Sequence, residues 1–171
     1  MTWHWNPAVG IDITELSAQG HKLFEVENPT SGPGAQKIFA VDPLVYSHRI
    51  TLAVINQFYN PGLEMVYAAR DTNTNQLLAH TWVARGVTPL WSNDEMAEIK
   101  MAHVDYDLPT KTKLKLIREM MDLWEVWCNK YGIQIIHSST MRQQTQAFLK
   151  MHQRCGYDVR GSSAYKRLEM I

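Results

Sequence analysis

Lys111, Lys113 and Lys115 crowd into five residues where a strand-like stretch gives way to a helical one, in VDYDLPTKTKLKLI (104–117). With Arg118 they place four cations in the first turns of a helix, where the macrodipole disfavours positive charge. Such a misplaced cluster has two readings. The ammonium groups, with the hydroxyls of Thr110 and Thr112, hold an anion such as a phosphate; or the lysines form a solvated face. The residue types leave both open.

Other groups able to move protons or bind polar ligands lie on either side of this joint. Glu98 and His103 sit on the preceding alternating stretch MAEIKMAHV (96–104). Strict alternation puts Ala97, Ile99, Met101 and His103 on one face and Met96, Glu98, Lys100, Ala102 and Val104 on the other, so Glu98 and His103 are not expected to act as a pair. His137 closes a later apolar run, and Ser138, Ser139 and Thr140 follow it; these hydroxyls suit either a ligand or the cap of the next helix. His152 lies in a further helical segment. The seven histidines are scattered, with no HxxxH or CxxC spacing to hold a metal. There is no G-x-S-x-G elbow for a serine hydrolase. Nucleic-acid binding would rest on the TKTKLK patch alone, without interleaved aromatics.

The elements that must position these groups follow from periodicity. Asp42-Pro43 starts a helix that Asn60-Pro61-Gly62 stops. EMVYAARD and LLAHTWVARG form a hairpin around TNTNQ. MAEIKMAHV is a third strand. A wide apolar stripe over about 110–131 (Leu114, Ile117, Met121, Trp124, Cys128 beside Leu116, Met120, Leu123, Trp127, Tyr131) predicts a long helix packed on a sheet and closed by Gly132. GIQIIHSS reads as a short buried strand, Gln143 to Arg154 as a helix closed by Gly156, and 157–171 as two strands around Gly161. Residues 1–40 read as an irregular extension, punctuated by Gly10 and Gly20, with strand-like patches at HKLFEV (21–26) and KIFAV (37–41). Trp3 and Trp5 share one face of an extended segment. The order predicts parallel pairing in the middle of the sheet, after an antiparallel start.

Composition bounds the rest. A chain of 171 residues, 45% hydrophobic, suits one domain with a packed core. A formal net charge of zero gives no bulk attraction to nucleic acid or an anionic membrane. No apolar run approaches the roughly 18 residues needed to span a bilayer. The N-terminus lacks the pattern of a secretory signal, and two scattered cysteines read as reduced core thiols, so a cytoplasmic protein is expected.

Over Glu64–Leu168 the pattern resembles the GNAT superfamily of acetyl-CoA-dependent N-acetyltransferases. AEIKMAHVDYDLP looks like its fourth strand running into the pyrophosphate loop, NKYGIQIIHSST like the end of the next helix and the fifth strand, and TQAFLKMHQRCGYDV like its C-terminal helix. The resemblance implies an α/β (α+β) fold: a mixed, centrally parallel sheet with helices on both faces. It implies acetyl-CoA between the fourth and fifth strands, touching Val104 and Ser138, with its pyrophosphate near Thr110, Lys111, Thr112 and Lys113. It implies Glu98 as the base for the acceptor amine, and His152, in place of the usual tyrosine, as the acid for the departing thiolate. The family's loop pattern, Gln/Arg-x-x-Gly-x-Gly/Ala, is absent: Pro109, Thr112 and Leu114 occupy its three defining positions. That departure keeps a second reading in view, a catalytically inactive GNAT-fold protein acting through a protein partner. A weaker likeness of AFLKMHQRCGY to GNAT-like phage proteins would make that one a virion component.

Overall fold

The computed structural model describes residues 1–27, 42–140 and 146–160. Its centre is a five-stranded sheet in the order β1-β2-β3-β4-β5, formed by β1 (Trp3–Pro7), β2 (Glu64–Asp71), β3 (Leu77–Val87), β4 (Met96–Val104) and β5 (Ile135–His137). The first three pairings are antiparallel and β4 with β5 is parallel. Helices cover both faces. α1 (Ile13–Glu27) and α2 (Pro43–Tyr59) pack on one, around Leu16, Ile50, Ala53, Val54 and Val66. α3 (Thr110–Lys130) covers the other, burying Leu116, Met120, Met121, Trp124, Trp127 and Cys128 over Ala79, Val83, Ala97 and Ile99. α4 (Gln146–Arg154) follows β5.

Local signals account for most of these elements. The Asp42 side chain accepts from the Leu44 N–H, with proline in the first turn of α2. Asp71 caps the β2–β3 turn by accepting from the Asn73 and Thr74 N–H groups; those bonds hold its carboxyl below the usual range. Gly132 and Gly156 take the positive φ that ends α3 and α4. Cys128 and Cys155 are free thiols.

The N-terminal region departs from expectation. Trp3–Pro7 is an edge strand and HKLFEV lies inside α1, not in a strand. Leu16 and Leu23 face the core of the α1–α2 layer, and helical spacing prevailed over a short run that reads equally as β. KIFAV and the C-terminal strand pair beyond Arg160 lie outside the described residues, as does the start of the helix expected from Gln143. Residues 157–160 adopt no regular structure. The fifth strand is shorter than GIQIIHSS, only three residues. Trp3 and Trp5 do share a face: both indoles donate to Glu119 Oε2, at 2.6 and 3.1 Å, clipping β1 onto α3.

Candidate active site at the β4–β5 fork

β4 and β5 pair only at Met96–Ile135, Ala97–Ile136 and Glu98–His137. From Ile99 to Val104, β4 has no strand partner on its β5 side among the described residues, whereas β3 follows it to Val104. The two strands therefore form a fork that opens toward the C-terminal end of β4. In open α/β sheets, crevices at that end are the usual ligand sites.

A bulge marks the apex. Trp82 pairs with Met101 but its neighbour Val83 pairs with Ile99, leaving Lys100 as an extra residue on β4. The bulge reverses the alternation. Ala97 and Ile99 lie under α3, while Met101 and His103 turn to the other face beside Trp82 and His80. Glu98, opposite Ala84, is on that same face. The expectation that Glu98 and His103 face opposite ways is thus corrected. They remain separate because five residues of strand span roughly 15 Å. Glu98 forms an ion pair with Lys100 instead.

At the mouth of the fork, residues 105–109 lead into α3. Pro109 is the N-cap, provides no side-chain cap, and has no N–H. The Thr110, Lys111 and Thr112 N–H groups are the first of the helix and have no intrahelical acceptor. Thr110 and Lys111 are exposed, while Thr112 and Lys113 are half-buried. The lysines are not equivalent. Lys113 Nζ donates to the Tyr106 carbonyl at 3.0 Å, tying the loop to the helix. Lys115 sits over the Trp3 ring and 3.7 Å from Glu119. Lys111 forms neither kind of tie. Leu114 is 48% exposed, so the helix turns that side chain away from the core.

Inside the fork, Ser138 is the first residue past β5, and its Oγ lies 2.9 Å from His152 Nε2. His152 is buried, and its Nδ1 donates to the Phe148 carbonyl at 2.9 Å. Burial lowers its pKa below the ordinary histidine value, so the ring is neutral near pH 7. Two groups expected from the sequence, Ser138 and His152, thus meet. Glu98 lies one register step away, opposite the exposed His137, and Val104 packs against the α3-side core at the far end of β4.

A second polar cluster went unseen in the sequence. His80 is buried, with Nδ1 bonded to Gln19 Oε1 on α1 and Nε2 3.3 Å from the Tyr46 hydroxyl on α2; His103 lies 5.4 Å away. Burial, with a smaller contribution from His103, lowers the His80 pKa to about 3. A lowered histidine pKa means that the unfolded chain takes up the proton first. Stability present above pH 6.5 should therefore fall as pH drops toward 3. Between pH 7 and pH 5 this one group should cost about 2 kcal/mol. Denaturant unfolding across that range should show a smaller loss in His80→Gln than in the wild type; equal slopes would refute it. A separate open hollow of about 510 Å³ lies between β1 and the start of α1. Its Arg70 is already bonded to Asp12 and Glu15, and no group of the fork reaches it.

No family model and no curated protein matches the sequence. Solved structures do. A predicted acetyltransferase from Clostridium acetobutylicum, with acetyl-CoA, superposes with a TM-score of 0.68 at 13% identity, covering 98% of this chain and 96% of that one. A tetramutant of the BH1408 protein from Bacillus halodurans gives 0.73 at 14% identity, over 96% and 99%. The aminoglycoside 6'-N-acetyltransferase AAC(6')-Ih from Acinetobacter baumannii gives 0.67 at 13% identity, over 99% of each. Together with a mixed sheet that forks between β4 and β5, these matches establish that the chain has the GNAT acetyltransferase fold.

Proposed function

We propose that the protein is an acyl-CoA-dependent N-acyltransferase, moving an acetyl or related acyl group to an amine. The observation that carries this reading is the fork, with helix N–H donors at its mouth and Ser138 and His152 at its apex. The comparisons support it in kind, since one similar structure holds acetyl-CoA and another is named as an aminoglycoside acetyltransferase. The free N–H groups of Thr110, Lys111 and Thr112 fit one phosphate of CoA without the usual glycines, and the Lys111 ammonium adds charge. Val104 would line the channel.

In this reading Glu98 accepts the proton of the incoming ammonium, which displaces Lys100 from it. His152 protonates the departing thiolate. At rest Nε2 is an acceptor, so it must be loaded with a proton first. The proton that the attacking nitrogen sheds as the carbon–nitrogen bond forms loads it, relayed through the Ser138 hydroxyl, which ends with the proton count it began with.

Calorimetry with acetyl-CoA tests the reading. Heat with one binding site is expected; none at millimolar ligand would overturn the enzyme and leave a GNAT-fold interaction protein. Lys111→Ala should weaken binding several-fold and flatten its salt dependence, because it removes a phosphate partner but no internal contact. Lys113→Ala should act through the loop, lowering affinity with little change in salt dependence. Unchanged affinity in both variants would refute the lysine contribution.

A further inference from the structure

α2 carries an apolar face that no described element covers. Val45, His48, Leu52, Ile55 and Tyr59 recur at alternating steps of three and four, the spacing of a helix–helix seam. Leu44 and Phe58, seven residues either side of half-buried Thr51, flank that seam along one edge. Ile50, Ala53 and Val54 lie on the opposite side of the helix and already hold it to the sheet. The seam is therefore surplus to the fold of one chain. Leu44, Phe58 and Tyr59 are 78, 80 and 81% exposed, and Val45, Leu52 and Ile55 are 44 or 45% exposed. Together the six expose roughly 700 Å², more than the about 300–600 Å² of the largest apolar patch on a typical monomer. That area is close to the about 800 Å² each partner gives to a standard stable interface.

We propose that a second copy of the chain docks on this face, as a two-fold dimer with its α2 helices antiparallel about Leu52. The area is one argument for that occupant, and charge is another. α2 has no carboxylate, and Arg49, at the rim of the seam, is its one fixed charge. A single cation is too few for an anionic lipid surface, and the seam offers a charged peptide nothing to pair with. The third argument is shape. The seam is aliphatic at its N-terminal end, with Leu44 and Val45, and aromatic at its C-terminal end, where the Phe58 and Tyr59 rings meet edge to face at 5.2 Å. Reversing the partner sets the small end of one helix against the large end of the other, with Val45 across from Tyr59 of the second copy. Leu52 then meets Leu52 of the second copy on the axis, the self-complementary contact of a two-fold interface. The two helix dipoles oppose one another, and the two Arg49 side chains stand six residues, or roughly 9 Å, apart along the helices. α2 lies over β2, three strands from β5, so the β4–β5 fork stays open in both copies.

The test is sedimentation equilibrium on the full chain at about 100 µM, above the micromolar dissociation constants of the weakest interfaces of this size. The wild type should show twice the 19.7 kDa of one chain. Leu52→Glu sets two carboxylates face to face on the axis and should weaken association by about a hundredfold or more. Leu52→Lys should do the same with two ammonium groups. Leu52 is exposed, so both variants should keep the wild-type circular dichroism, and unfolding midpoints at dilutions where the wild type is monomeric should agree. Mixing the two should restore the mass of a pair, because each Glu then faces a Lys. A wild type of single-chain mass overturns the dimer, and if that monomer pellets with phosphatidylcholine–phosphatidylglycerol vesicles the face belongs to a lipid surface instead. A dimer that survives Leu52→Glu uses another face, which overturns the proposal too. If the Glu and Lys variants are each monomeric and remain so when mixed, the antiparallel arrangement about Leu52 is overturned.

Discussion

Trp124→Ala is expected to destabilise the protein by about 3–5 kcal/mol, the range for deleting a buried tryptophan. Trp124 is 2% exposed at the centre of the α3 layer. Its loss opens a cavity between the helix and the sheet. It also breaks a chain of bonds that leads to the fork: Trp124 Nε1 donates to Thr81 Oγ at 2.8 Å, and Thr81 Oγ donates to the Met101 carbonyl at 2.9 Å. Met101 borders the Lys100 bulge. The indole therefore fastens the irregularity that separates β4 from β5. Thr81→Val isolates that role, since it keeps the volume, cuts both bonds, and leaves a buried indole N–H without its acceptor. It should cost about 1–3 kcal/mol. It should also weaken acetyl-CoA binding by more than an equally destabilising core substitution remote from β4, such as Ile50→Val. Urea unfolding and calorimetry on the three variants decide the matter. If Thr81→Val and Ile50→Val lower affinity alike, the bulge is not held by this chain.

The bulge also shows where the sequence stopped being legible. The extent of β4, 96–104, could be read from alternation, and so could the long α3, because their apolar spacing is regular and tertiary packing follows it. The alternation contained no sign that Lys100 is inserted. A one-residue slip is written in the register with β3, and register depends on partners far along the chain. Every face assignment beyond Ile99 was therefore reversed. The fork inherits this illegibility, since it consists of pairing that stops. Ser138 and His152 could each be named from the resemblance, but their contact could not, because α4 reaches β5 only through the tertiary fold. The His80–Gln19–Tyr46 cluster joins β3, α1 and α2 and was invisible for the same reason.

Gly20 reads as a chain-breaker in the sequence and proves to be a contact point, so Gly20→Ala is expected to destabilise by about 3 kcal/mol, at the upper end for overpacking. Helix propensity argues the other way: Gly20 is mid-helix in α1, where alanine ordinarily gains up to about 1 kcal/mol over glycine. Packing decides. A Cβ at Gly20 would stand 2.1 Å from Tyr46 Cε1 and 2.5 Å from Cζ, well inside any tolerable contact. The tyrosine has little room to retreat. Phe24 packs edge-on against it, and its hydroxyl is bonded to His80. Moving the ring would strip a buried polar contact from a histidine that burial already keeps uncharged. The clash therefore reaches from the α1–α2 interface to the sheet. A double-mutant cycle separates this from a simple cavity effect. Tyr46→Ala alone should be destabilising, but adding Gly20→Ala to it should then be neutral or stabilising, because propensity alone remains. If Gly20→Ala costs the same in both backgrounds, the close approach of α1 to Tyr46 is not what requires glycine there.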